Sequence, residues 1–166
     1  MAIEIGSRLP NAVLREKTDD GVKQRTVEEL VRGRRVVIIG LPGAFTPTCS
    51  SRHVPSYLER AADIKAKGVD EIFCVSVNDA FVMDAWAKSL DAHGRIRMLA
   101  DGNAEFTRAI GLESDRSEHG MGLRSQRYSM YVEDGVVRLL NVEAPGQYEV
   151  SDAAVMLSQL AGLNRA

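Results

Sequence analysis

Two uninterrupted apolar, β-branched runs, Val36 to Leu41 and Ile72 to Val77, constrain this chain more than any other feature. Strands that read as continuous apolar runs rather than alternating ones are buried on both faces. Between them, Val54, Tyr57, Leu58, Ala61, Ala62, Ile64 and Ala66 recur at three- and four-residue spacing and stop at Gly68, which predicts a helix from Cys49 to Lys67. Strand, helix, strand in that order means a right-handed crossover and a parallel pair inside a sheet covered by helices.

The rest of the chain extends that plan. Asn78 or Asp79 can cap a helix running to about Leu90, with Phe81, Val82, Ala85, Trp86 and Leu90 as its apolar stripe. Arg97 to Ala100 reads as a short strand, and Asn103 to Ile110 as a short helix ended by Gly111. Tyr128 to Glu133 and Val136 to Val142 flank Asp134-Gly135, a hairpin signal because both central residues of such a turn need positive φ. Ser151 is placed to cap a closing helix through Leu160. Near the start, Ala12 to Thr18 is weakly strand-like, and Thr26 to Glu29 fits a capping box before Leu30 and Val31. Ser114 to Arg127 has no periodicity and reads as a long loop of the kind that carries function. The expected architecture is α/β, a central mixed β-sheet flanked by helices, with residues 1–166 forming a single domain.

Charge and cysteine content narrow the function. With 21 Lys+Arg against 23 Asp+Glu, no strongly basic surface for nucleic acid is expected. No apolar stretch is long enough for a membrane span, and Met1 to Leu9 does not read as a signal peptide, so the expectation is a soluble cytoplasmic protein, with prior removal of a transit peptide left open. Two cysteines, Cys49 and Cys74, are too few for a disulfide scaffold or a four-cysteine zinc site. His53 stands four residues after Cys49, but with three histidines and no second clustered pair, no metal is expected, and His53 reads instead as a modulating neighbour of the thiol. His93 and His119 read as surface residues. Gly40-Leu41-Pro42-Gly43 lacks the following Lys and Ser/Thr of a phosphate loop, and no cofactor is expected.

The chemistry concentrates where the first buried strand ends. Ligands bind at the carboxyl ends of strands in open α/β sheets, and Cys49 falls there, in the first turn of the predicted helix. Unpaired N–H groups and the positive end of the helix macrodipole favour a thiolate, which is the nucleophile. Pro42 and Pro47 stiffen the loop, and Thr46 can bring a hydroxyl beside the sulfur. A Cys-x-x-Cys pair is excluded, because position 46 is threonine.

Pro42-x-x-x-Thr46-x-x-Cys49 resembles the peroxidatic motif of peroxiredoxins, and the full stretch Pro42 to Ser50 resembles their type II, peroxiredoxin-5-like subgroup. The likeness continues through Lys67 to Asp70, Val75 to Met83, Leu99 to Gly102 and Gln126 to Met130, so it spans the chain in order. It implies a thioredoxin-like fold, a homodimer, and thiol-dependent reduction of hydrogen peroxide and alkyl hydroperoxides. It also implies roles: Cys49 as nucleophile, Thr46 bonding the peroxide, Pro42 shielding the sulfenic product, and Arg127 as the guanidinium that stabilises charge on the leaving oxygen. Arg124 is the rival for that last role.

Cys74 lies inside an apolar strand and reads as a packed thiol; its other reading is a resolving cysteine that forms a disulfide with oxidised Cys49. Type II members with a resolving cysteine near the chain end carry it in the segment matching Gly146 to Ser151, which here has none. The expectation is therefore an external reductant: glutathione, a glutaredoxin or thioredoxin. The alternative is a peroxide sensor that uses the same thiol without rapid turnover.

Overall fold

The computed structural model of the protein describes residues 1–163. A seven-stranded sheet runs through it, built from β1 (Val13–Thr18), β2 (Gly21–Thr26), β3 (Arg35–Gly40), β4 (Glu71–Ser76), β5 (Arg97–Ala100), β8 (Tyr128–Glu133) and β9 (Val136–Val142) in the order β2-β1-β5-β4-β3-β8-β9. The remaining strands, β6 (Glu113–Asp115) and β7 (Leu123–Ser125), pair only with each other. The centre, β3-β4-β5, is parallel, as the apolar runs require; antiparallel hairpins extend it on both sides. The sheet is mixed and flanked by helices, as expected.

Helices α1 (Val27–Val31), α2 (Val54–Ala66), α3 (Ala80–Ser89), α4 (Glu105–Ala109) and α5 (Ala153–Leu163) complete the fold. One buried cluster gathers Ile39, Cys49, Tyr57, Ile64, Cys74, Trp86 and Met156 under α2, α3 and α5. The other gathers Val36, Ile38, Phe73, Val75, Phe106 and Tyr128 on the opposite side. Alternate residues of β3 therefore feed different cores, which is why its sequence shows no polar face. The Thr26 capping box and the positive φ at Asp134 (46°) and Gly135 (82°) are present as predicted.

One strand escapes the sequence reading and three expectations need correction. β2 carries no apolar run: it is an edge strand with exposed Val22, held by its ladder to β1. The stripe of α3 keeps Trp86, with Val82 and Leu90 packed beside it, but gains Ala80, Met83 and Ala87 in place of Ala85 and of Phe81, which is 65% exposed. Asp152, not Ser151, caps α5, accepting from the Val155 N–H at 2.9 Å; Ser151 is buried and serves another purpose. The aperiodic Ser114 to Arg127 stretch is not all loop, since the β6-β7 hairpin, which begins at Glu113, occupies much of it, its three-residue strands being too short to show a period.

Candidate active site

Beyond β3 the chain passes Pro42 and Gly43, turns through Phe45 at φ 62°, and becomes helical at Pro47. The entry helix is not regular. Cys49–His53 form a π turn, in which the Val54 N–H reaches back to the Cys49 carbonyl, before α2 continues normally. Such widened turns recur at functional sites because they redirect side chains without breaking the helix. Cys49 and His53 are both wholly buried at this turn.

Several groups fix the loop ahead of Cys49. The Asn78 Oδ1 accepts from the Ala44 N–H at 3.0 Å and from the Ser76 hydroxyl at 2.6 Å. Of the two predicted caps for α3, Asp79 performs the capping and Asn78 holds this loop. Arg124 donates through Nε to the Met121 carbonyl at 2.9 Å and through Nη1 to the Pro42 carbonyl at 3.3 Å, tying the β6-β7 hairpin to the loop. A Cβ on Gly43 would stand 2.6 Å from that Nη1, so a side chain there would push the guanidinium aside.

Arg127 is the guanidinium at the sulfur. Its Nη2 donates to Cys49 Sγ at 3.2 Å, and its Nη1 donates to His53 Nδ1 at 2.9 Å. Thr46 spends its hydroxyl hydrogen on the Gly43 carbonyl at 2.6 Å, which leaves its oxygen lone pairs to accept from a hydroxylated ligand. Pro42, Thr46 and Arg127 line one cleft of about 760 Å³, together with Arg52, Arg116 and Tyr148. Three guanidiniums and the carboxylates of Glu113, Glu143 and Glu149 share its lining, so the cleft is polar and mixed in charge.

Two groups on this wall had no signal in the sequence. The Glu143 carboxylate accepts from the N–H groups of Glu149, Val150 and Ser151 and from the Ser151 hydroxyl, at 2.6–2.9 Å. Burial alone would raise its pKa, yet the Ser151 hydroxyl and those three N–H groups hold it below its ordinary value. Tyr148 spreads its ring under Arg52, 4.7 Å away, and Arg127, 5.8 Å away.

Cys74 is not brought into this cleft. It sits mid-β4 between Ile39 of β3 and Met98 of β5, without solvent exposure, and both cysteines are free thiols. Burial pushes its thiol up, the proximity of Cys49 adds to that, and Arg127 opposes it.

Comparisons with known proteins agree with this geometry. The family described as Redoxin matches residues 4–157. The chain is 48% identical over 163 residues to peroxiredoxin-2E-2, chloroplastic, of Oryza sativa subsp. japonica, a match covering 95% of this chain and 72% of that protein. It is 42% identical to peroxiredoxin-2B of Arabidopsis thaliana, covering 95% of this chain and 98% of that protein. Among solved structures, reduced Prx3 from Vibrio vulnificus in complex with H2O2 superposes with a TM-score of 0.92 at 53% identity, covering 95% of this chain and 99% of that one. Peroxiredoxin 5 from Alvinella pompejana gives a TM-score of 0.86 at 34% identity, covering 96% and 99%.

Proposed function

This chain belongs to the redoxin family: it is a type II peroxiredoxin, a thiol-dependent peroxidase, and we propose that Cys49 is its nucleophile and that Thr46, Pro42 and Arg127 complete the working site. The observation that carries this is the Arg127 Nη2 donor 3.2 Å from the Cys49 sulfur, behind a cleft whose wall includes Thr46 and Pro42. The Cys49 thiolate attacks the near oxygen of the hydroperoxide, so an S–O bond forms as the O–O bond breaks. The sulfur is oxidised by two electrons to sulfenic acid, and the leaving oxygen takes a proton to become alcohol or water. Negative charge passes from sulfur to the leaving oxygen, and a fixed guanidinium stabilises it along the way. The Thr46 oxygen accepts from the peroxide O–H, which orients it, and Pro42 screens the product.

Recycling is assigned to an external thiol. Glutathione, a glutaredoxin or thioredoxin attacks the sulfenic acid, releasing water and leaving a mixed disulfide that a second thiol resolves. The burial of Cys74 in mid-β4, outside the cleft that a peroxide or an external thiol enters, supports this. Two free thiols fit a reducing compartment such as the cytoplasm. Phe45, 56% exposed and packed on Trp86, and Phe81 at the start of α3 offer an apolar face that a second copy can cover, supporting a homodimer.

Peroxide consumption by wild type, Cys49→Ser and Cys74→Ser, each with glutathione, glutaredoxin plus glutathione, or thioredoxin, tests the reading. Loss in Cys49→Ser alone is expected. A Cys49-Cys74 disulfide as the main product by intact mass would overturn the external reductant. The sensor reading has one observation in its favour, the absence of any exposed Cys49 surface for a bulky thiol to attack. Stoichiometric oxidation without turnover by every reductant would select it.

A further inference from the structure

His53 lies at the centre of a chain of contacts that the peroxidase reading does not use. A carbonyl can only accept, so the His53 Nε2, 3.1 Å from the Ser151 oxygen, carries the ring hydrogen. A guanidinium can only donate, so Nδ1, 2.9 Å from Arg127 Nη1, presents a bare lone pair. One tautomer of the neutral ring satisfies both contacts; an imidazolium would aim an N–H at a cation.

We infer that His53 is a positioning residue that uses the bare Nδ1 to hold the Arg127 guanidinium against the Cys49 sulfur, with no part in proton transfer. The inference rests on the assignment of Cys49 as nucleophile and adds the means by which its cation is aimed.

The surroundings agree from every side. His53 has no exposed surface, and burial followed by the charge of Arg127 pushes its pKa down to about 3, against the opposing Ser151 bond and Glu143. Rings flank it on two sides, Tyr57 at 5.7 Å and Tyr148 at 5.4 Å, and Arg52 lies beyond Tyr148. The Ser151 carbonyl is itself fixed: the Tyr57 hydroxyl donates to it at 2.8 Å, and Glu143 clamps the Ser151 N–H and hydroxyl. The segment after β9 is thereby coupled to a guanidinium 24 residues earlier in the chain, and through it to the sulfur.

A neutral acceptor suits this task better than an acidic one. An arginine side chain has several rotatable bonds to immobilise, and a second anchor on its fork reduces its freedom to swing off the sulfur. A carboxylate in the place of His53 would orient the fork equally well but would compete with the thiolate for its charge. Nδ1 orients Arg127 and leaves that charge for Cys49.

Two near-isosteres separate the ring's two contacts. The amide oxygen of His53→Asn falls near the Nδ1 position and keeps an acceptor for Arg127; the amide of His53→Gln reaches the Nε2 position and keeps the donor to Ser151. The readout is the rate of Cys49 oxidation by hydrogen peroxide, followed by Trp86 fluorescence under single turnover from pH 5 to 8. We expect His53→Asn within about threefold of wild type and His53→Gln slower by roughly tenfold or more, with the gap between them falling below about twofold in an Arg127→Met background. A His53→Gln rate equal to wild type beside a slow His53→Asn would overturn the inference. So would a gap that persists without Arg127, or a limb in the wild-type pH profile that His53→Asn abolishes, which would mark an acid-base role. If wild type shows no peroxide reaction that Cys49→Ser removes, the nucleophile assignment fails instead.

Discussion

Gly40 is the position where a single methyl group should damage fold and site together. In the β3-β8 ladder Gly40 faces Tyr128, whose ring lies across it. A Cβ at residue 40 would stand 1.9, 2.2 and 2.7 Å from Cε2, Cζ and Cδ2 of that ring. Carbon atoms settle about 3.5–4.0 Å apart, so the ring would have to retreat by roughly 1.5 Å or more. It is wholly buried among Ile38, Val75 and Met130 and has nowhere to go. Overpacking of this kind costs about 3 kcal/mol, and for a chain of this size that lowers Tm by roughly 6–12 °C. Tyr128 follows Arg127 directly, so the displacement carries to the guanidinium, and a misplacement of about 1 Å can reduce a rate on the order of 100-fold. Urea denaturation followed by Trp86, the single tryptophan and fully buried, measures the first effect, and Cys49 oxidation by peroxide measures the second. Tyr128→Leu should partly rescue Gly40→Ala, with a coupling above about 1 kcal/mol. A Gly40→Ala protein within about 0.5 kcal/mol of wild type, or strict additivity with Tyr128→Leu, would refute the reasoning.

Arg127→Met should lower the rate of Cys49 oxidation by roughly 100- to 1,000-fold, the usual cost of losing one donor aimed at developing charge. Arg124→Met, which loses only contacts to the Pro42 and Met121 carbonyls, should cost less than about tenfold; the reverse order in stopped-flow traces would exchange their assignments. Because the Thr46 hydroxyl hydrogen is spent on the Gly43 carbonyl, Thr46→Ser should keep most activity and Thr46→Val should lose it, in the same assay with hydrogen peroxide and an alkyl hydroperoxide. Acid should destabilise the fold through His53. An unfolded imidazole titrates near 6.5 while the folded one stays neutral to about 3, so between those values the unfolded chain binds one more proton and stability falls with pH, by up to ~1.4 kcal/mol per unit. Glu16 and Glu143 act in the same direction below pH 4.5, each held under its ordinary value by hydrogen bonds that overcome burial. Urea midpoints from pH 4 to 8 should show this slope, and His53→Asn should reduce it by one proton.

What the sequence shows of the fold depends on whether a residue's neighbours are local. β3, β4 and α2 are legible because burial on both faces, or on one helical stripe, writes itself into adjacent residues. The Asp134-Gly135 turn and the Thr26 capping box are legible because their hydrogen bonds close within four residues. β2 is hidden, since an edge strand bearing Lys23, Gln24 and Arg25 is stabilised by its ladder to β1 and not by a face of its own. The stripe of α3 is legible at Val82, Trp86 and Leu90 but not at its edge: Phe81 and Met83 are both apolar, and only the packed sheet selects Met83.

The site divides along the same line. Cys49, Thr46 and Pro42 share one short loop, so a motif can carry them. Arg127 and Arg124, both preceding β8, could not be separated by spacing; distance separates them, because one reaches sulfur and the other a backbone carbonyl. His53 lies four residues from Cys49, yet its partners are 74 and 98 residues away, and its tautomer exists only because a donor and an acceptor arrive from opposite sides. Glu143 shows the limit most clearly. Within the sequence it is one acidic residue after a strand, whereas in the fold its two oxygens organise Glu149 to Ser151 and hence the carbonyl that fixes His53. A motif can name the atom that reacts; which groups aim the charge at it is decided by contacts that close only when the sheet has formed.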